Sequence, residues 1–321
     1  MVATLLLFAS LLWSVTLGAA EIERATVFSA LLQPDATEFE HLIIQTVRLP
    51  RVLAGALVGI ALAVAGAIMQ ALTRNPLADS GILGINAGAA FAVVVTVFLL
   101  RVSSLGVYAM AGMLGAAAAG ALVYGLGSAG RGGPTPLRLT LAGVIVTAFL
   151  AALTTLILIS DRETLDQIRF WTAGSLAGRD MPLLTQIAPV LTFGALGAFL
   201  LGRQITTISL GEDVAKGLGQ NTVAIKVLAS LIVVALAGGA VALAGPIGFV
   251  GLVAPHIARF IVGPDYRWVI PYSGVLGGVM VVVADVAARI ALRPQEIPVG
   301  VMMALVGAPF FIYLARWRVR R

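Results

Sequence analysis

RLPRVLAGALVGIALAVAGAIMQALTRNPLADSGILGIN, residues 48–86, is the stretch that decides the fold. Between Arg51 and Arg74 it carries no charge. That is the length of apolar chain a helix needs to cross roughly 30 Å of hydrocarbon. An Arg-Asn-Pro break follows, then Asp79, and apolar sequence resumes as far as Arg101. Pro76 cannot continue a helix, and it pushes the residue before it out of helical geometry. Asn75 is suited to bond the backbone groups this frees, and Gly81, Gly84 and Gly88 allow neighbouring helices to come close. The stretch therefore predicts two membrane helices with a structural joint between them, and no substrate site.

The same pattern fills the chain. Of its 321 residues 60% are hydrophobic and 11% charged, too little polar surface to cover a soluble globule of this size. Thirty-six glycines suit close helix packing, and Gly55/Gly59, Gly84/Gly88 and Gly274/Gly278 have small-xxx-small spacing. Charges bracket further spans at Arg101–Arg131, Arg138–Asp161 and Asp180–Arg203. Residues 222–262 are almost continuously apolar over about twice a spanning length, which predicts a hairpin of two helices turning near Ala244-Gly245-Pro246. A ninth helix is expected over Trp268–Leu292 and a tenth over Ile297–Ala315. The run Val2–Ala20 is either a retained first helix or a leader ending at Gly18-Ala19-Ala20; it lacks a charged beginning and is long enough to span. The expectation is an all-α integral membrane protein, one multi-pass domain over residues 1–321 with about ten helices. Both termini then lie on one side. The basic tail Arg316–Arg321 places that side in the cytoplasm.

Two connections carry more than a turn. Residues 161–180, DRETLDQIRFWTAGSLAGRD, predict a short helix at the outer interface with Ile168, Phe170, Trp171 and Leu176 as anchors, then a glycine-rich turn. Residues 207–220 lie on the cytoplasmic side. Ser209 and Glu212 have capping-box spacing, which predicts one surface helix of about ten residues, ~15 Å long. Leu210, Val214 and Leu218 share a face of it, Lys216 sits in its later part, and Gly219 is its stop.

Catalytic chemistry has no visible seat. There is no cysteine, and His41 and His256 lie far apart, so no metal site is expected. No nucleophile–base motif, zinc-protease motif or phosphate-binding Gly-Lys-Ser/Thr occurs. The net charge of +6 marks orientation and lipid contact, with no nucleic-acid partner implied. Asp285, with Arg289 four residues on, is expected to form an intrahelical pair near an outer helix end. An ion-coupled carrier or an intramembrane enzyme would need ligands or a catalytic set in mid-span, which are not seen.

Five motifs in order, residues 48–86, SLGEDVAKGLG (209–219), GPIGFVGLVAPHIARFIVG (245–263), VADVAARI (283–290) and EIPVGVMMALVGAPFFIYL (296–314), closely resemble the FecCD family of ATP-binding cassette (ABC) importer permeases. The likeness covers about residue 45 to the end; Ser80 departs from it, where many members carry proline. It implies the type II importer permease fold in the bacterial cytoplasmic membrane. It also implies a second permease, a copy or a homologue, two ATPase subunits that hold ATP and magnesium, and an extracytoplasmic binding protein. No cofactor is implied for this chain. On this resemblance Leu210, Gly211, Glu212, Ala215, Lys216, Leu218 and Gly219 couple to the ATPase. Arg48, Arg51 and Arg293 are outer charges for docking the binding protein. Gln70, Asn75, Pro76, Gly81, Gly84, Gly245, Pro246, Pro255 and Asp285 belong to structural motifs. The implied cargo is a ferric siderophore or ferric dicitrate, with haem or cobalamin as the alternative.

Overall fold

The computed structural model describes residues 2–18, 22–129, 135–293 and 295–318. Helices and connecting loops make up these residues. They run α1 (Val2–Thr16), α2 (Arg24–Leu32), α3 (Phe39–Ile43), α4 (Leu49–Thr73), α5 (Ile85–Leu100), α6 (Leu105–Ser128), α7 (Pro136–Ser160), α8 (Arg162–Thr172), α9 (Met181–Leu200), α10 (Gly202–Ser209), α11 (Glu212–Gly217), α12 (Thr222–Ala244), α13 (Val250–Val262), α14 (Tyr266–Ile290) and α15 (Val299–Arg318). Six apolar helical stretches are long enough to cross a membrane, and four shorter apolar helices, in α1, α5, α13 and α15, accompany them. The ten-helix expectation and the multi-pass class hold.

The core is built around α4, whose residues 61–71 are all buried. Helices α12, α13 and α14 pack around it. They come close because glycines face each other where the backbones meet. A Cβ on Gly59 would fall 2.2 Å from the carbonyl oxygen of Gly277 in α14, and one on Gly66 would fall 2.1 Å from that of Gly251 in α13. The contact between α5 and α6 repeats the device, since a Cβ on Gly88 would lie 2.4 Å from Gly115 O. In a membrane, where lipid tails are as apolar as the helices, association rests on such close packing. Helix α7 is the opposite case: Leu137, Ile145, Phe149 and Ile159 point outward.

The structure departs from the sequence expectation in three places. The second span does not begin at Arg51. Its helix extends back to Phe39 through a π-helical turn over Ile44–Arg48. The turn predicted at Ala244-Gly245-Pro246 is present, with Gly245 at φ 72° ending α12, but the second arm of that hairpin is not a full crossing. Helix α13 has 13 residues, and so is ~20 Å long. Phe249, at φ 69°, delays its start and leaves residues 245–249 non-helical. The first helix is also shorter than expected and ends at Thr16. Ala19 and Ala20 of the proposed leader site, and Val319–Arg321 of the basic tail, lie outside the described residues.

Glycine replacements should separate packing from helix propensity. Gly66→Ala has no room for its methyl group, whereas a Cβ at Gly125 of α6 meets nothing within 4 Å. Gly66→Ala is expected to lower the melting temperature of the detergent-purified protein by about 5 °C or more, and Gly125→Ala to leave it unchanged or slightly raised. Equal melting temperatures would contradict this packing scheme.

Candidate functional site

The surface segment between α9 and α12 is two short helices, α10 and α11, where one was expected. Gly211, at φ 130°, breaks the chain between them. The Ser209–Glu212 capping box does not form. Ser209 ends α10 and its hydroxyl donates to Thr206 O at 2.7 Å, while α11 starts at Glu212 with Gly211 before it. The stop at Gly219 does form: at φ 77° it donates to Lys216 O, and Gln220 N donates to Ala215 O at 3.0 Å. These two bonds are the left-handed glycine closure of a helix end.

Freed from capping, the Glu212 carboxylate joins α11 to α12. It meets Lys226 Nζ at 2.5 Å and Lys216 Nζ at 3.1 Å, and accepts from Thr222 Oγ1 at 3.4 Å. The hydrogen bonds from Lys226, then from Lys216, hold its pKa at about 2. A lowered carboxylate pKa contributes stability above the ordinary value and loses it only as pH falls toward 2, so the link is intact near neutrality. Helix α10 is tied separately: Thr206 Oγ1 donates to Asp265 Oδ1 at 3.1 Å and accepts from Tyr266 N at 2.9 Å, at the start of α14. Ala215 is buried beneath this frame, and Leu210, Val214 and Leu218 are exposed above it at 67%, 47% and 71%. Three apolar side chains thus stand open on a segment that is held in place.

The joint after α4 lies beside it. Arg74 turns into the left-handed region at φ 51°, and its guanidinium lies near Gly211. Asn75 Oδ1 accepts from Leu77 N at 3.0 Å, the role expected of it, across the turn made by Pro76. Asp79 caps the 3-10 turn Ser80–Leu83, accepting from Ser80 N at 2.7 Å, and burial raises its pKa. Gly84, at φ 69°, opens α5, while Gly81 lies near Asn86. Gln70 has a role that proline explains. Pro255 has no N–H, so the Gly251 carbonyl four residues back loses its helical donor. Gln70 Nε2 supplies one at 2.9 Å, and Gln70 Oε1 accepts from Arg259 Nη2 at 2.5 Å.

Buried charge gathers at the other end of the bundle. Arg51 meets both oxygens of Asp285, with Nη2 to Oδ1 at 2.9 Å, and Glu296 Oε2 at 2.7 Å. The expected Asp285–Arg289 pair is present at 3.1 Å. Arg289 also donates to Leu17 O and Ser14 Oγ, both at 2.6 Å, while Arg48 reaches Val15 O and Arg293 reaches Gly18 O. Four arginines thus hold α4, α14 and the end of α1 together. This corrects the placing of Arg48 and Arg51 as outward charges: they are 4% and 7% exposed and their guanidinium groups bond within the chain, and of the three only Arg293 is open. Helix α8 lies at this end as expected, with Ile168, Trp171 and Leu176 buried, but Phe170 points outward. Pro246 stands in the non-helical segment beside Gly174.

Residues 5–317 match the FecCD transport family. The chain belongs to this family. It is 48% identical over 303 residues to the siderophore transport system permease protein YfiZ of Bacillus subtilis strain 168, covering 94% of this chain and 91% of that one. It is also 48% identical over 312 residues to the iron(3+)-hydroxamate import system permease protein FhuB of the same organism, covering 96% and 80%. A solved structure described as a metal-chelate type ABC transporter in an inward-facing conformation superposes with a TM-score of 0.84 at 29% identity, over 98% of this chain and 97% of that one.

The Glu212–Lys226 link of this FecCD protein can be tested directly. Lys226→Gln removes one arm of it, and the amides of Leu218, Gly219 and Gln220 should then exchange hydrogen about threefold faster or more, while those within α4 are unchanged. Unchanged exchange at 218–220 would show that the ion pair does not hold α11.

Proposed function

We propose that this chain is the membrane-spanning permease subunit of an ABC importer for ferric siderophore or ferric dicitrate. It pairs with a second permease, a copy of itself or a homologue, and the cargo passes between or beside them. Two ATPase subunits bind ATP with magnesium and seat on the α10–α11 face, which projects into the bacterial cytoplasm. An extracytoplasmic binding protein delivers cargo at the opposite end, where Arg293 is the exposed basic group among the three considered. Both termini are cytoplasmic in this reading. The chain itself catalyses nothing and holds no cofactor.

The observation that carries the reading is the 48% identity to the siderophore and iron-hydroxamate permeases over nearly the whole chain. The geometry supports it. The open apolar residues Leu210, Val214 and Leu218 stand on a segment tied to the first turns of both α12 and α14, so a push on them reaches two long helices at once. Buried Arg51, Asp285 and Arg289 are joined in ion pairs that bind helices together.

Uptake decides the cargo. Cells with and without this chain are given labelled ferric hydroxamate, ferric catecholate, ferric citrate, haem and cobalamin in competition. Loss of uptake of one ferric chelate is the expected result. Loss of haem or cobalamin uptake alone would overturn the cargo assignment, and unchanged uptake of all five would overturn the transport role.

A further inference from the structure

Residues 245–249, between α12 and α13, are the non-helical segment noted above. Gly245 touches the outer-end helix α8, since a Cβ on it would fall 2.1 Å from Trp171 O. The far end of the segment is deep. Phe249 packs on Gly307, and Gly251 lies on Gly66. Both partner helices start at the outer end, α15 at Val299 and α4 at Leu49. Gly307 is eight residues into α15 and Gly66 seventeen into α4, so at 1.5 Å per residue these contacts lie ~12 Å and ~25 Å along their helices. Both depths fall within a hydrocarbon layer of roughly 30 Å.

Backbone at that depth needs its hydrogen bonds made inside the protein, unless it is wet. Here the carbonyls of Gly248 and Phe249 accept from Val250 N and Val253 N, both at 2.9 Å, but the donors are left over. Pro246 has no N–H, and the N–H groups of Ile247, Gly248 and Phe249 donate to no described residue. Gly248 is open on one side: it is exposed, and nothing lies within 4 Å of where its Cβ would be. Phe249 is strained at φ 69° and pinned, because a Cβ on Gly307 would lie 2.5 Å from Phe249 Cβ. A strained, pinned shape with donors left over at mid-depth has the character of a functional site, because lipid cannot satisfy those donors and water can.

We propose that residues 245–249 line a water-filled translocation path, and that the N–H groups of Gly248 and Phe249 donate to the oxygens of an anionic ferric chelate as it passes. Carboxylate, hydroxamate and catecholate oxygens are all strong acceptors, so two backbone donors serve any of them. Bonds so few and so general hold the cargo weakly enough for it to leave. The water-lined path follows from the backbone alone, whereas the chelate rests on the function proposed above.

The chain has no cysteine, so Gly248→Cys places one thiol in this chain where space is open. Phe193→Cys, on the exposed face of α9 at middle depth, is the comparison. Both are made in the assembled transporter, in membrane vesicles during ATP turnover, and modification is followed on this chain by mass. A charged methanethiosulfonate is expected to react at 248 about tenfold faster than at 193 or more. Saturating ferric chelate with its binding protein should slow that reaction, and modification should stop uptake. A Gly248→Cys thiol inert to the charged reagent but labelled by a lipid-soluble maleimide would overturn the proposal, as would full uptake after modification. Labelling at 248 in a transporter whose wild type takes up no ferric chelate would leave the wet path standing and remove the cargo.

Discussion

The helices around α4 meet backbone on backbone. Where Gly66 of α4 meets Gly251 of α13 there is no room for even a methyl group, and the same holds where Gly59 meets Gly277 of α14. Much else follows from that approach. It brings Gln70 within reach of the Gly251 carbonyl that Pro255 leaves without a donor, and Gln70 in turn holds Arg259. It also sets how far residues 245–249 are drawn into the bundle before α13 begins.

Charge is confined to the two ends, and each end uses it differently. At one end Arg51, Asp285 and Arg289 are buried and paired. Removing one partner of such a set leaves the others uncompensated, which is far more costly than the set is stabilising. It acts as a fastening for α1, α4 and α14. At the other end, between α11 and α12, Glu212 and Lys226 are partly exposed, and their pair is weaker and accessible. The bundle thus has a firm fastening at one end and a lighter link at the other.

The membrane class, the ten apolar helices and the joint at Asn75–Pro76 were legible in the sequence, because length, charge brackets and proline act locally. So was the Asp285–Arg289 pair, four residues apart on one helix. What distance along the chain conceals was not legible. Arg51 and Asp285 are 234 residues apart, and nothing near Arg51 shows that it faces inward. The capping-box spacing at Ser209 was misleading for a similar reason: Lys226, beyond the segment, offers Glu212 a full charge, while Gly211 breaks the helix the box would start. The short α13 was hidden because an apolar run of two spans looks the same whether its middle is helical or non-helical. One signal was available: Pro255, four residues after Gly251, marks a carbonyl in need of a donor.

In the function proposed above, this permease draws its energy from its partners and is moved through its α10–α11 face. The most direct measurement reconstitutes the chain in sealed proteoliposomes with and without its ATPase and binding protein, and follows ferric chelate entry under ATP or under an imposed ion gradient. Entry that requires both partners and ATP, and is indifferent to collapse of the gradient, is the expected result. Accumulation driven by the gradient in liposomes holding this chain alone would contradict it.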